Sequence, residues 1–422
     1  MSAPHLELIP SRPAVRADAP VTVDVLVKIT TPEPEPSPGR PTRPPLNLGL
    51  VLDRSGSMAE RNKLAFAREA AAFAVRELAP TDRVSVTTFD GRVETIAPNA
   101  PAADKARLVA LIDGITPRGG TALHGGWAEG AAQVHAHLTA GGLNRVILLS
   151  DGLANVGESR PDAVATAVHA RARDGVSTTT LGLGDEYNED LLEAMARSGD
   201  GNYYYVESPA QLPGIFQTEL HGLSATVGTD VTLTVEPGPG ASVAEVLNGL
   251  DRTPDGRLRL SNLIAGLPVY VVVRINVPAG AGEVAVGRFR VEWAGAGVAG
   301  RQSAVASLTL PAAPGAAWEA LAVNVEVLER AALLAVARAK KAATRASELG
   351  DRGAVRVWLD EAKRVLAVAP STPEVEREAK ALAALEVLLI HDEAKFRKTA
   401  KFESYTTILS RPIIIDPSRD TE

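Results

Sequence analysis

Apolar residues follow three different patterns along the 422-residue chain. From residue 46 to 222, short apolar runs alternate with stretches that carry Ala, Leu and Val at three- and four-residue intervals. Continuous apolar runs are typical of strands buried on both faces of a parallel sheet, and the longer intervals are typical of amphipathic helices. The alternation predicts a doubly wound, Rossmann-like α/β domain over residues 46–222.

This region contains six candidate strands and six candidate helices. The strands are Leu46–Leu52, Val84–Phe89, Val93–Ile96, Arg145–Leu149, Val176–Leu183 and Tyr203–Val206, and the helices are Lys63–Leu78, Asp104–Ile112, Leu123–Leu138, Pro161–Arg173, Glu189–Arg197 and Pro209–Leu220. Only Asp-Gly-Arg separates the second strand from the third, and so short a connection is typical of a hairpin. We therefore expect one antiparallel strand at an edge of the sheet.

Residues 223–312 show the two-residue alternation of half-buried strands, punctuated by Gly and Pro. This pattern predicts a β-sandwich. Val21–Ile29 alternates in the same way, so residues 1–35 are expected to complete the sandwich, with the α/β domain inserted in it. Residues 36–45 are rich in proline, which lacks the backbone donor that a sheet interior needs, and they are interpreted as a linker.

Residues 313–403 are rich in Ala, Glu, Lys and Leu and predict a C-terminal α-helical bundle, with helices near Ala316–Glu348, Gly353–Val368 and Pro373–Lys401. Residues 404–422 are expected to form an extended tail. Within the tail, Ile413–Ile415 lies between prolines, which leaves two interpretations: a segment that adds to a partner's sheet edge or groove, or a loosely packed end.

The composition of the chain limits the kinds of site and partner that it can have. The chain has no cysteine, which excludes disulfides and thiolate metal sites and, with no basic-then-apolar leader in view, predicts a cytoplasmic protein. No apolar stretch approaches about 20 residues, so we expect no membrane insertion. The net charge of −7 gives no general attraction to phosphate backbones, and acidic residues are interleaved with the basic residues of the helical region. We therefore expect no nucleic-acid partner.

Polar residues lie where three loops are expected to converge. Asp53, Ser55 and Ser57 follow a buried strand, Thr121 precedes a helix, and Asp151 follows another buried strand. In doubly wound sheets, ligands bind beyond the carboxyl ends of the strands. Three hydroxyls and two carboxylates form an all-oxygen set, which suits Mg²⁺, with Mn²⁺ as the alternative, better than zinc or copper. Since Mg²⁺ prefers six oxygens, waters and an external acidic group are expected to complete the set.

These and other polar residues also allow simpler interpretations. Ser and Asp are common in caps and turns, so a single short match is weak evidence for a metal site. His124 follows Thr121 closely enough to line the rim of the site, but a position without a role in the site is the favoured interpretation. Asp185 with Glu186 is interpreted as solvated, with a second cation as the alternative. No base is placed near Ser55 or Ser57 by the sequence, so the chain is not expected to be an enzyme.

The Asp-x-Ser-x-Ser sequence that starts at Asp53, together with Thr121 and Asp151 in later loops, resembles the metal-ion-dependent adhesion site of the von Willebrand factor A family. The resemblance covers about residues 46–220. It implies that Ser55 and Ser57 bind the metal directly, that Thr121 does so in the ligand-bound form, and that the two aspartates act mainly through water. It also implies a protein-binding module whose metal takes a Glu or Asp carboxylate from a protein partner.

The flanking regions look like those of bacterial members of this family, which often work beside MoxR-type AAA+ ATPases. The alternative function is therefore that of a regulatory or adaptor subunit of such an ATPase in a bacterial stress, assembly or defence system. The helical region would be the docking surface. Any nucleotide chemistry would belong to the partner, because the chain has no Gly-x-x-x-x-Gly-Lys-Ser/Thr sequence.

Overall fold

A computed structural model describes residues 4–32, 44–138, 142–295 and 300–410. Contacts divide these residues into two compact units. One unit contains residues 44–226, and the other combines residues 4–32, 227–295 and 300–410.

The strands and helices are numbered in chain order. The strands are β1 His5–Pro10, β2 Val15–Arg16, β3 Val21–Thr30, β4 Leu46–Asp53, β5 Arg83–Phe89, β6 Val93–Pro101, β7 Leu143–Ser150, β8 Val176–Leu183, β9 Asp200–Val206, β10 Thr226–Pro237, β11 Ser242–Val246, β12 Leu258–Arg259, β13 Leu263–Ile264, β14 Val269–Val277, β15 Glu283–Gly295 and β16 Arg301–Ala313. The α-helices are α1 Lys63–Glu77, α2 Lys105–Asp113, α3 Leu123–His135, α4 Pro161–Arg173, α5 Glu189–Ser198, α6 Leu212–Ser224, α7 Gly315–Glu319, α8 Val325–Glu348, α9 Arg352–Val368, α10 Pro373–His391 and α11 Glu393–Ile408, with 3₁₀ helices at Gly56–Asn62 and Pro209–Gln211.

The first unit is an α/β domain around one six-stranded sheet of order β6-β5-β4-β7-β8-β9. Neighbouring strands are parallel except β6, which pairs antiparallel with β5, so the predicted antiparallel edge strand is confirmed. Every residue of the central strand β4 is buried. A strand covered by helices on both faces needs such an apolar run, and its carboxyl end opens at the edge where the sheet's loops meet.

Helix α3 packs closely against this sheet because glycines face it. A Cβ atom added at Gly130 would lie 2.2 Å from Val51 Cγ2, and one added at Gly126 would lie 2.5 Å from Phe89 Cδ1. No larger residue fits at either position without displacement of the neighbouring side chain. The two glycines therefore fix the distance between α3 and the strands that carry the polar loops.

The second unit contains two sheets, with orders β1-β3-β14-β11 and β12-β10-β15-β16-β2. Strand β3 pairs antiparallel with β14, from Val21 opposite Val277 to Ile29 opposite Val269. Strand β3 therefore lies inside a sheet whose strands β11 and β14 come more than two hundred residues later in the sequence. Buried residues of both sheets share one hydrophobic cluster, to which Val25 and Phe289 belong.

The helical region departs from two predicted elements. The single helix predicted near Ala316–Glu348 is divided into α7 and α8, because the Asn324 side chain accepts the Val327 N–H at 3.2 Å and caps a new helix. The helix predicted at Pro373–Lys401 is also divided. Asp392 ends α10 in a non-helical conformation, and its side chain accepts the Lys395 N–H at 2.9 Å.

The last helix continues into the segment that the sequence assigned to a tail. Helix α11 runs to Ile408, so residues 404–408 are helical. Its end is held by side chains of the same unit, since Asn248 donates to the Ile408 carbonyl at 3.0 Å and Ser261 donates to the Leu409 carbonyl at 3.0 Å. These anchors lie far away in sequence, which is why local pattern does not show them.

Two predicted features lie outside the described residues. They are most of the proline-rich linker, of which only Pro44 and Pro45 are described, and the Ile413–Ile415 segment. Across the part of the chain that the structure describes, no helix is both long and apolar enough to cross a bilayer. The cytoplasmic location stays a prediction.

Candidate metal site

The two aspartates of the predicted site stand at the carboxyl ends of adjacent parallel strands. Asp53 is the last residue of β4, and Asp151 directly follows β7. Because Leu52 pairs with Leu149, the parallel register brings the ends of the two strands together. Ser150 donates its hydroxyl to Asp53 Oδ2 at 2.5 Å and connects the two strand ends.

A continuous chain of polar contacts joins four side chains at this edge. The hydroxyls of Ser55 and Ser57 lie 3.1 Å apart, and Ser57 donates to Asp151 Oδ1 at 2.7 Å. The other oxygen of Asp151 accepts a hydrogen bond from Lys63 Nζ at 2.5 Å. Asp53 Oδ1 accepts the Ser55 N–H at 2.7 Å and so fixes the turn that presents the serines.

The loop that carries Thr121 is fixed by backbone and amide contacts to the neighbouring loops. The Gly56 N–H donates to the Gly119 carbonyl at 3.1 Å, and the Ala122 N–H donates to the Asp90 carbonyl at 2.7 Å. The Thr121 N–H donates to Asn155 Oδ1 at 2.8 Å. A Cβ atom added at Gly152 would lie 3.2 Å from Thr121 Oγ1 and 3.7 Å from Ser57 Oγ, so both hydroxyls border the space beside this glycine.

Burial changes the acidity of Asp53. The side chain is fully buried, and desolvation raises its pKa from 3.8 to about 6, although hydrogen bonds from Ser150 and Ser55 oppose the shift. The nearby negative charge of Asp151 adds to the increase. A cation beside these carboxylates would favour the ionised form of Asp53.

A second charged network connects the loop after Asp53 with the loop before Thr121. Arg54 donates to Asp90 Oδ2 at 2.9 Å and to Glu94 Oε2 at 2.8 Å, and Arg118 donates to Asp90 Oδ2 at 2.8 Å. Burial alone would raise the pKa of Asp90, but hydrogen bonds from Arg118 and Arg54 hold it below its usual value. Asp90 therefore links the loop after Asp53 to the loop before Thr121.

The structure brings Asp53, Ser55, Ser57 and Asp151 into one hydrogen-bonded group and places Thr121 beside the same space. Sequence reasoning missed the residues that support this group, among them Ser150, Lys63 and Asn155. Ser150 had a usable signal, because it ends a buried strand directly before a predicted ligand. Lys63 and Asn155 had no such signal, because each contacts a residue of a segment distant in sequence.

The other residues considered from sequence have ordinary partners. The ring of His124 stacks on Trp127, with centroids 5.9 Å apart. Asp185 accepts a hydrogen bond from Tyr205 Oη at 2.8 Å, and both Asp185 and Glu186 are exposed. These contacts agree with the interpretation of the Asp185 loop as solvated.

The residues at this edge fit a hard divalent cation. Their donors are oxygens alone, two of the five residues are carboxylates, and Gly152 leaves open the space that hydroxyls of two different loops border. Among residues 4–32, 44–138, 142–295 and 300–410, no group of three or more His, Cys, Asp and Glu side chains is arranged as a metal site. The candidate site would rely on hydroxyls for the rest of its ligands.

Comparison with known proteins connects this geometry with a family. The family model described as von Willebrand factor type A domain matches residues 47–218. The α/β unit is a von Willebrand factor type A domain. Domains of this family generally mediate metal-dependent protein–protein interaction and are typically not enzymes.

Two curated relatives each match a little under half of the chain. The uncharacterized protein YfbK of Escherichia coli (strain K12) is 29% identical over 197 residues, which cover 46% of this chain and 34% of that protein. The uncharacterized protein sll0103 of Synechocystis sp. (strain ATCC 27184 / PCC 6803 / Kazusa) is 32% identical over 204 residues, which cover 48% of each. The chain thus spans less than half the length of either relative.

Solved structures include one that resembles nearly the whole chain. It is a von Willebrand factor type A protein from Catenulispora acidiphila, with a TM-score of 0.71, 18% identity and coverage of 98% of both chains. At this identity the likeness shows a shared fold and nothing about ligands.

Proposed function

We propose that this protein binds a protein partner through a divalent cation, Mg²⁺ or Mn²⁺, at the site formed by Asp53, Ser55, Ser57, Thr121 and Asp151. The observation that carries the proposal is the hydrogen-bonded chain from Ser55 through Ser57 to Asp151. In this chain, hydroxyl and carboxylate oxygens of two loops lie together at the carboxyl ends of β4 and β7. When bound, the cation would supply an electrophilic centre for a Glu or Asp carboxylate of the partner.

The proposed roles follow from the contacts of each side chain. Both oxygens of Asp53 already accept hydrogen bonds, from the Ser55 N–H and the Ser150 hydroxyl, so Asp53 orients the loop and contributes charge. Ser55 and Ser57 present hydroxyl oxygens as direct ligands. Thr121 lies on a separate loop held by Asn155, and its hydroxyl completes the set.

The first test is isothermal titration of chelator-treated protein with Mg²⁺ and Mn²⁺. We expect wild type to bind one cation, Asp53→Ala to bind none, and Ser57→Ala to bind about tenfold more weakly, since one ligand is lost. Glu186→Gln is the matched control, because it removes an exposed carboxylate from a neighbouring loop and should bind as wild type does.

Two results would overturn the proposal. One is the absence of cation binding to wild type at millimolar Mg²⁺ and Mn²⁺. The other is equal binding by wild type and Asp53→Ala, which would locate the cation elsewhere. A loss of binding in Glu186→Gln would instead favour the second-cation interpretation of the Asp185 loop. Circular dichroism of each variant separates a lost ligand from a lost fold.

The predicted link to a MoxR-type AAA+ ATPase has support of a different kind. Helices α9 and α10 expose large apolar side chains, which are Val357, Trp358, Val387 and Ile390. Such residues are suited to a docking surface. The test is the ATPase rate of a co-encoded AAA+ protein with and without this chain: stimulation that Trp358→Ala removes would support the link, and an unchanged rate would contradict it.

We also propose that the two sheets of the second unit form a β-sandwich in which the α/β domain is an insertion. The pairing of β3 with β14 and the hydrophobic cluster shared by the two sheets support this division. The helices from α8 onward would then form a third, helical region after the sandwich.

A further inference from the structure

Exposed large apolar residues are rare in the α/β domain. Among its described residues they are Leu138, Leu153 and Val156, with 44%, 60% and 40% of their surface exposed. Single exposed apolar residues are normal on a protein surface. Here, however, two of the three occupy one loop, and that loop begins at Asp151 of the candidate metal site. Their position, rather than their exposure alone, points to a ligand contact.

The loop is held in place from two sides. The Thr121 carbonyl accepts the N–H groups of Asn155 and Val156, each at 3.2 Å, while Asn155 Oδ1 accepts the Thr121 N–H at 2.8 Å. A Cβ atom added at Gly120, which precedes Thr121, would lie 3.5 Å from Val156 Cγ2. The Val156 side chain is therefore fixed beside the Thr121 loop.

Leu153 lies on the same loop, next to Gly152. That glycine borders the hydroxyls of Thr121 and Ser57, at 3.2 Å and 3.7 Å from the position of an added Cβ atom. Leu153 follows it directly and is the most exposed of the three apolar residues. The two apolar side chains thus belong to a loop whose backbone already contacts the candidate ligands, and a partner would not have to order it.

We infer that Leu153 and Val156 form an apolar rim beside the metal site, and that this rim selects partner segments in which the acidic residue has a large apolar neighbour. The inference rests on the proposed function. Carboxylates are abundant on protein surfaces, so a cation alone discriminates poorly between partners. Burial of one apolar neighbour against the rim should improve binding about tenfold.

The test uses synthetic fluorescent peptides with the Mn²⁺-loaded protein and fluorescence polarisation. The first peptide carries Leu-Glu-Leu at its centre, the second carries Ser-Glu-Ser, and the third carries Leu-Gln-Leu in the same Gly-Ser context. We expect wild type to bind the Leu-Glu-Leu peptide about tenfold more tightly than the Ser-Glu-Ser peptide. The Leu-Gln-Leu peptide should not bind, since it offers no carboxylate.

The variants compare the rim with an apolar residue elsewhere in the domain. Combined replacement of Leu153→Ser and Val156→Ser should make the Leu-Glu-Leu peptide bind only as well as the Ser-Glu-Ser peptide. Leu138→Ser is the matched control, because it removes an exposed leucine outside the site loops and should keep the preference. Titration with Mn²⁺ verifies that each variant retains its cation.

The outcomes separate the inference from the proposed function. Failure of wild type to bind Mn²⁺ overturns the proposed function and the inference together. If Mn²⁺ binds but the Leu-Glu-Leu and Ser-Glu-Ser peptides have equal affinity, only the apolar rim is wrong. Equal loss of preference in Leu138→Ser and in the double variant would also contradict the rim, because it would show a general effect of surface hydrophobicity.

Discussion

Lys63 places a buried ammonium group against one of the two carboxylates of the proposed metal site. Its side chain is 7% exposed, and its Nζ lies 2.5 Å from Asp151 Oδ2. A Cβ atom added at Gly184 would lie 3.9 Å from Lys63 Cε. Asp53, Asp151 and Lys63 bring two carboxylates and one ammonium group together, so their formal net charge is −1 when all three are ionised. A divalent cation would make the group positive, which favours a carboxylate from outside.

Replacement of Lys63→Met should therefore strengthen binding of the cation. Two unit charges about 4 Å apart interact by about 4 kcal/mol at an effective dielectric constant near 20, so loss of the ammonium should tighten Mn²⁺ binding at least tenfold. The same change should weaken binding of an acidic peptide to the loaded site. Calorimetric titration with Mn²⁺, followed by peptide titration, measures both effects.

Lys105→Met is the control for this prediction. It removes the same charge from the start of α2, where Lys105 donates to the Arg76 carbonyl, and it should leave Mn²⁺ affinity unchanged. Weaker Mn²⁺ binding in Lys63→Met would contradict the electrostatic argument. It would show that the main role of Lys63 is to hold Asp151 in position for the metal.

Gly152→Ala should obstruct the metal site without unfolding the domain. The new methyl group would lie 3.2 Å from Thr121 Oγ1 and 3.7 Å from Ser57 Oγ, in the space that both hydroxyls border. We expect Mn²⁺ affinity to fall at least about tenfold, by loss of one ligand. Gly56→Ala is the matched control, because its methyl group would meet only the Gly119 carbonyl, at 3.6 Å.

The outcome of this pair is read in metal affinity and melting temperature together. A lower affinity in Gly152→Ala with an unchanged melting temperature of the chelated protein supports the assigned position of the metal. Normal affinity in Gly152→Ala would move the metal away from Thr121. Equal losses in both variants would indicate that the loops respond to any added bulk.

At this scale, the sequence identified the polar residues that the structure brings together better than it identified the residues that support them. Asp53 ends a buried strand and Asp151 directly follows another, and the apolar runs before them indicated both strands. The role of Lys63 was not predictable, because a lysine at the start of a helix is usually solvated. Only the fold shows that its ammonium group donates to Asp151. The pairing of Ser150 with Asp53 depends on the parallel register of β4 and β7, which periodicity does not reveal.

The packing of α3 on the sheet is sensitive to a single methyl group. Gly130→Ala would place a methyl group 2.2 Å from Val51 Cγ2, so either the helix or the strand must move. We expect the free energy of unfolding of the α/β domain to fall by about 1–3 kcal/mol. Urea denaturation measures the change, and a shift of α3 should also displace Thr121, which directly precedes its cap, and weaken Mn²⁺ binding.

Gly214→Ala on α6 provides the comparison for a helical glycine. Nothing lies within 4 Å of an added Cβ atom at that position. The substitution should therefore increase stability by about 0.5–1 kcal/mol through helix propensity alone. Destabilisation in both variants would mean that backbone effects, rather than the contact with Val51, explain the loss at Gly130.

Element boundaries were predictable where local chemistry sets them. Helix α4 has the predicted bounds Pro161–Arg173, because proline suits the first helical position, and strand β8 has the predicted bounds Val176–Leu183. The break at Asp392 was missed, because the surrounding residues keep helical periodicity and the cap is a single carboxylate. The strand order of the sheet was also not predictable from the sequence, because it depends on contacts between distant segments.

The second unit has hydrophobic clusters of its own, so a ligand of the α/β domain need not stabilise it. Buried residues of the second unit form clusters of their own, such as the one that contains Val25 and Phe289, and none of the proposed metal ligands belongs to that unit. A cation that binds only the folded α/β domain should raise the stability of that domain by about 2.7 kcal/mol at a concentration of 100 times Kd. For a domain of this size the shift in Tm is about 5–10 °C.

Differential scanning calorimetry with and without Mn²⁺ should therefore show two transitions, of which only one moves. Variants identify the transitions independently of the metal. Gly130→Ala should lower the transition that Mn²⁺ raises, because its clash lies in the α/β domain. Trp318→Ala should lower the other, because Trp318 packs under the Arg12 guanidinium at 4.5 Å and donates to the Ala14 carbonyl at 2.9 Å, both in the second unit.

The crossed design makes each assignment falsifiable. If Mn²⁺ raises the transition that Trp318→Ala lowers, the cation binds the second unit and the proposed site is wrong. If both variants and Mn²⁺ move a single transition, the two units unfold as one cooperative body, and cation binding is felt through the whole chain. With two independent transitions, any partner bound through the cation stabilises the α/β domain alone, and the second unit stays free to bind something else.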